Sequence, residues 1–170
     1  MILLAKELLQ RAVKKCYRKD KVLIKNDLEQ ASVARIFYYM QEIINREKKF
    51  KEFRLLHLDC EYRKLQNGVK ATYHFSTTRP DIILHSRGNR EHNIIIVEFK
   101  SQEGTETNYP DGNTRDSVKL KDFTCSNGDY AYKLGVFVKL NHDEAEYIYF
   151  QDGRQVEEPT ANLISGNTNE

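Results

Sequence analysis

The run Ile94-Ile95-Ile96-Val97, closed by Glu98-Phe99-Lys100, constrains this chain more than any other feature. Its four consecutive β-branched residues suit a sheet strand while falling far short of a membrane span. A strand across Asn93–Phe99 needs a folded domain around it. With 170 residues, 39% of them hydrophobic, the chain can bury one core without metal or disulfide staples. The expected organisation is a single domain over 1–170, with its core across roughly 20–150 and a frayed tail at 151–170. Three prolines and eight glycines argue against long disordered linkers. Ile2-Leu3-Leu4-Ala5 meets Lys6 and Glu7 too early for the core of a signal peptide. Cys16, Cys60 and Cys125 form no CxxC pair and leave one thiol over, which suits a reducing cytoplasm. Membrane proteins, secreted disulfide scaffolds and zinc ribbons are disfavoured.

Periodicity supplies the rest of the framework. Ala5, Leu8, Leu9, Ala12, Val13 and Cys16 recur at helical spacing and predict a first amphipathic helix over 3–18. Asn26-Asp27 reads as the start of a second helix to about Arg46, with Val33, Ile36, Phe37, Met40, Ile43 and Ile44 facing inward. Leu55–Arg63 alternates, placing Leu56, Leu58, Cys60 and Tyr62 on one face and His57, Asp59 and Glu61 on the other. Asn67-Gly68 signals a turn before a weaker strand from Val69 to Phe75. Ile82–Leu84 and Asn93–Phe99 are strands joined by a turn at Arg87-Gly88-Asn89. A polar loop over Glu103–Thr114, a short helix over Asp116–Cys125, and strands at Tyr132–Leu140 and Ala145–Phe150 complete the order. This is an α/β pattern, a mixed central sheet flanked by helices with an extra helix at the N-terminus.

Charge is unevenly distributed. The first 70 residues carry 17 Lys and Arg against 9 Asp and Glu, while the remaining hundred carry 10 against 16. The basic clusters at Lys14, Lys15, Arg18, Lys19, Lys21 and Lys25, and at Lys48, Lys49, Lys51 and Arg54, can neutralise phosphates or simply form solvated helix faces. The five histidines show no HxxxH or HExxH spacing, which disfavours a zinc hydrolase. Ser32 and Ser101 lack nucleophile-elbow glycines, and no glycine-rich phosphate loop is present.

Chemistry concentrates at Arg79-Pro80-Asp81 and Glu98-Phe99-Lys100. Pro80 suits the entry to a strand, where no ladder donor is required. A period of two puts Glu98 and Lys100 on one face and Phe99 on the other. If the two strands pair through the Arg87-Gly88 turn, Asp81 and Glu98 lie opposite each other at one end of the sheet. Two carboxylates there make a hard-oxygen site for Mg²⁺ or Mn²⁺, and a lysine beside them can position an attacking water. Pro110-Asp111 repeats the dipeptide but runs into Gly112 and no strand. Asn26 and Glu29 form a capping-box pattern, yet Glu29 also opens the inward stripe and is retained as a site residue. Asp59 and Glu61 either border the metal site or pair with bases such as Arg35 and Arg63. Asp116 and Lys119 read as a helix-start acid and a surface lysine, with an approach to substrate phosphates as the alternative.

Asp81, Glu98 and Lys100, with Pro80 and the strands around them, resemble the signature of the PD-(D/E)XK nuclease superfamily. Asp59-Cys60-Glu61-Tyr62, Arg79-Pro80-Asp81-Ile82-Ile83 and Tyr132-Lys133-Leu134-Gly135-Val136-Phe137 are similar to segments of its small stand-alone bacterial members. The resemblance implies a restriction-endonuclease-like α-β-β-β-α-β core and metal-dependent hydrolysis of DNA phosphodiesters. It implies Mg²⁺ or Mn²⁺ held by Asp81 and Glu98, with Glu29 as the helix acid completing the shell and Lys100 positioning water. It also implies a nucleic-acid partner, DNA before RNA, and a homodimer where both strands are cut. An inactive nucleic-acid-binding or assembly module of the same fold, or an RNase, is the alternative.

Overall fold

The computed structural model describes residues 1–61, 64–65, 68–69, 74, 78–88, 90–104 and 114–160. Three helices come first: α1 (Ile2–Lys19), α2 (Lys21–Lys25) and α3 (Glu29–Arg46). The α1 stripe is buried as its spacing predicts, with Ala5, Leu8, Leu9, Ala12, Val13 and Cys16 all in the core. Along α3, Ile36, Met40, Ile43 and Ile44 are buried, whereas Val33 and Phe37 are only partly covered. The helix starts later than expected. Asn26 closes α2 with its N–H on the Val22 carbonyl, so it cannot cap α3, and the capping box with Glu29 does not form. Asp27 adopts φ +51°, and Leu28 occupies the cap position without a side-chain bond.

A 3₁₀ segment over Lys48–Leu55 follows, where a strand was expected to begin. Residues three apart eclipse in such a helix, and Phe50 and Phe53 stack with centroids 6.1 Å apart, both buried. Leu55 is left 85% exposed, and strand β1 is only His57–Cys60. Cys60 is exposed rather than inward, because the backbone turns at Glu61 (φ +49°) as its N–H donates to the Asp81 carbonyl. A small hairpin pairs β2 (Lys64–Leu65) with β3 (Gly68–Val69), so Gly68 lies in a strand rather than in the expected turn. Most of the strand expected to Phe75, and most of the polar loop expected over Glu103–Thr114, lie outside the described residues.

The main sheet holds six strands in the order β1, β4 (Ile82–His85), β5 (Ile95–Ser101), β6 (Leu134–Leu140), β7 (Ala145–Gln151) and β8 (Arg154–Val156). The last of these falls within the stretch expected to fray, and residues 161–170 lie outside the described set. Only β5 and β6 run parallel, and their crossover carries α4 (Arg115–Thr124). Thr114 caps α4 by accepting the Ser117 N–H at 3.2 Å. Two apolar layers sandwich the sheet. Ile82, Leu84, Ile95, Val97 and Phe99 join α1 and α3, while Ile83, Ile96 and Phe137 join Leu120 and Phe123 of α4. The central strands are therefore apolar on both faces, which is why their sequences run almost without polar interruption. No described helix is long and apolar enough to cross a membrane.

Candidate functional site

Strand register assembles the site. β4 and β5 pair antiparallel with Ile82 opposite Val97, and one further step sets Asp81 against Glu98. Asp81 Oδ2 accepts the Phe99 N–H at 2.7 Å, which pins its carboxylate to the end of β5. Glu98 is 3% exposed and projects toward α4, where Lys119 Nζ stands 3.0 Å from its Oε2. Lys119 also reaches Asp116 Oδ1 at 3.4 Å, one turn earlier on α4. Its side chain is only 12% exposed, so the expectation of a surface lysine is corrected. The reason is packing: α4 lies directly over β5 and β6, and Lys119 is on its lower face beside the buried Leu120.

The other expected residues divide. Glu29 Oε2 accepts the Ser101 N–H at 2.8 Å, and Lys100 Nζ lies 3.9 Å from Glu29 Oε1. Lys100 thus shares a strand face with Glu98, but its ammonium pairs with the helix acid. Asp59 is held by His85 Nε2 at 2.9 Å and by the Arg87 guanidinium, and Glu61 by Arg79 at 2.8 Å. The partners suggested for them differ: Arg35 pairs with Asp20, and Arg63 lies outside the described residues. Asp59 and Glu61 serve ion pairs along the β1 edge.

Electrostatics mark the Asp81–Glu98 pair. Burial pushes the Asp81 carboxyl up to about 6, opposed by the Phe99 N–H and the Lys119 charge and reinforced by Asp116 and Glu29. Burial likewise drives Glu98 well above its ordinary value, with Lys119 opposing and the Asp81 and Asp116 charges adding to the rise. For Lys119, burial acts downward, but the Glu98 and Asp116 charges outweigh it and keep the ammonium charged. Because the fold holds the Asp81 proton more tightly than the unfolded chain, this group stabilises the protein below about pH 4. That contribution disappears as pH rises through about 6. Asp81→Asn should therefore flatten the fall in stability between pH 4 and 7 by on the order of 2 kcal/mol, read from urea midpoints across that range. An unchanged slope in the variant would assign the proton to another group.

A cation fits this site on one observation: Glu98 Oε1 is buried and has no hydrogen-bond partner among the described residues. An unpaired buried carboxylate oxygen costs several kcal/mol unless a proton or metal satisfies it. Among the described residues, however, no three His, Cys, Asp or Glu side chains form a ready-made cage. Glu29 stands at the edge, close enough for its charge to act on Asp81 but bonded to Ser101. The sequence pattern around Lys119 is that of a surface lysine, whereas its ammonium faces Glu98. Its one local signal was spacing, three residues after Asp116 and immediately before Leu120.

Fold and site together define an α/β protein with a buried glutamate beside a half-buried aspartate at the end of a mixed six-stranded sheet. No family model, curated protein or solved structure matches the chain.

Proposed function

We propose that the protein is a metal-dependent nuclease of restriction-endonuclease-like fold that hydrolyses DNA phosphodiesters. The observation that carries this reading is the buried, unpartnered Glu98 oxygen beside Asp81 at the end of β5. The succession of α3, the antiparallel strands β1, β4 and β5, the crossover helix α4 and the parallel strand β6 supports the fold assignment. Asp81 and Glu98 are the groups that would hold a Mg²⁺ or Mn²⁺ ion, with Glu29 at the margin of that shell. When bound, the ion polarises the phosphoryl oxygen and lowers the pKa of its water. Lys119 keeps its positive charge against Glu98 and would stabilise negative charge developing on the transferred phosphoryl group. Lys100, tethered to Glu29, is the second lysine near the attacking water. In the overall step the water oxygen bonds to phosphorus, the P–O ester bond breaks, and the leaving oxygen takes a proton.

The substrate's charge has a match on α1. Arg11, Lys14, Lys15 and Arg18 line one groove with Tyr17, Ile43 and Glu47. Arg11 is tied to Glu47 and Lys15 to Glu42, which leaves Lys14 and Arg18 for phosphates. Purified protein with plasmid, single-stranded DNA and RNA, each with and without Mn²⁺, tests the reading. Cleavage of DNA that EDTA abolishes is the expected result. Preferential RNA cleavage would make the protein an RNase, and binding without cleavage at any metal level would overturn hydrolysis. The second reading, a nucleic-acid-binding module that does not cleave, draws on the Lys119–Glu98 ion pair, which balances one carboxylate charge without a metal.

A further inference from the structure

We propose that the site takes one divalent cation per chain and that the Lys119 ammonium is its second, protein-supplied cation. The inference rests on the metal-dependent reading above and adds its stoichiometry and the part played by Lys119.

Charge and space lead to it independently. Asp81, Glu98 and Asp116 place three carboxylates around Lys119, whose single positive charge lies 3.0 Å from Glu98 Oε2 and 3.4 Å from Asp116 Oδ1. Glu29 and Lys100 form a separate pair at 3.9 Å that adds no net charge to the site. One divalent ion therefore brings the three carboxylates and the lysine to neutrality, whereas two would leave an excess of positive charge in a largely buried site. Two-metal sites hold their ions ~3.5–4 Å apart and use a carboxylate to bridge them. Here the oxygens divide between two cations of different kinds. Glu98 Oε2 is already committed to the ammonium, while Oε1 is buried and unpartnered. Asp81 directs Oδ2 to the Phe99 N–H, and its other oxygen carries no bond among the described residues. The unfilled capacity is that of one ion. The place a second would take between Glu98 and Asp116 is held by Lys119, on a helix capped at Thr114 and packed onto the sheet through Leu120 and Phe123.

Mn²⁺ titration of the full chain by calorimetry, with electron paramagnetic resonance on the same samples, tests the proposal without any variant. The expected result is one ion per chain and a mononuclear six-line spectrum up to millimolar Mn²⁺. Two ions per chain with a spin-coupled spectrum overturn the inference while leaving the nuclease reading intact. No binding at all overturns both. Lys119→Gln and Lys119→Arg then separate charge from structure. The Gln variant should cleave ~10²-fold more slowly, the scale for losing one preorganised charge at a reacting group. Raising Mn²⁺ should recover part of that rate, because a second ion can enter the vacated place. The Arg variant keeps the charge and should stay at one ion. If the folded Gln variant cleaves at the parent rate, or slows without any response to Mn²⁺, Lys119 does not stand in for a metal.

Discussion

Glu98→Gln should lose ~10²–10³-fold or more in Mn²⁺-dependent cleavage while remaining folded and close to the parent in stability. The two halves of this expectation have one cause. Glu98 is 3% exposed and keeps one oxygen without a partner, so in the absence of metal its ionised form is a burden on the fold. Burial has already pushed it well above the ordinary carboxyl range, and a neutral amide of the same shape relieves that penalty. The same change removes the charged ligand on which cation binding depends. Lys119 is not stranded, since Asp116 remains 3.4 Å away. Thermal unfolding with and without Mn²⁺, beside a cleavage assay, checks both halves: the parent should gain stability from the ion and the variant should not. A variant that unfolds as it loses cleavage would make Glu98 a structural partner of Lys119 instead.

The second large effect is expected at Gly135, which carries no chemistry. This β6 residue lies under α4, and a Cβ there would meet Thr124 Cγ2 at 2.9 Å, Phe150 Cβ at 3.2 Å and Leu120 Cδ2 at 3.4 Å. None of these neighbours yields easily. Thr124 is buried with its hydroxyl donating to the Leu120 carbonyl at 2.8 Å, and Phe150 and Leu120 are fully buried. Gly135→Val should cost roughly 3 kcal/mol, at the upper end for overpacking, and Gly135→Ala about half as much. Urea midpoints read the stability. The functional consequence follows from place: lifting α4 moves Lys119 and Asp116 away from Glu98, so cleavage should fall even under conditions where the Val variant is fully folded. Equal activity in the folded fraction would mean that the site tolerates displacement of α4.

Much of this arrangement was readable along the chain, for local reasons. The α1 stripe follows a 3.6-residue period, and β4, β5 and β6 announce themselves as apolar runs because they are covered on both faces. The antiparallel pairing of β4 and β5 follows from two apolar runs separated by a turn, with Gly88 at φ +87°. That pairing brings Asp81 to Glu98. Other features had no local signature. The Asn26 cap failed because a competing turn, α2, claimed it. The strand expected from Leu55 was displaced by Phe50 and Phe53, whose spacing suits a 3₁₀ turn as well as a helix.

What the sequence by itself determined is the buried strand ladder and the carboxylate pair at its end, since a one-residue slip in register would turn the side chains of each strand to the opposite face. What only the tertiary structure decided is which cation faces Glu98. Lys100, two residues along the same strand face, is the neighbour that periodicity nominates, yet it reaches Glu29. Lys119 lies 21 positions away in the sequence and arrives because the β5–β6 crossover lays α4 across the sheet. Ion pairing between elements depends on how they pack, and that distance is absent from any local pattern.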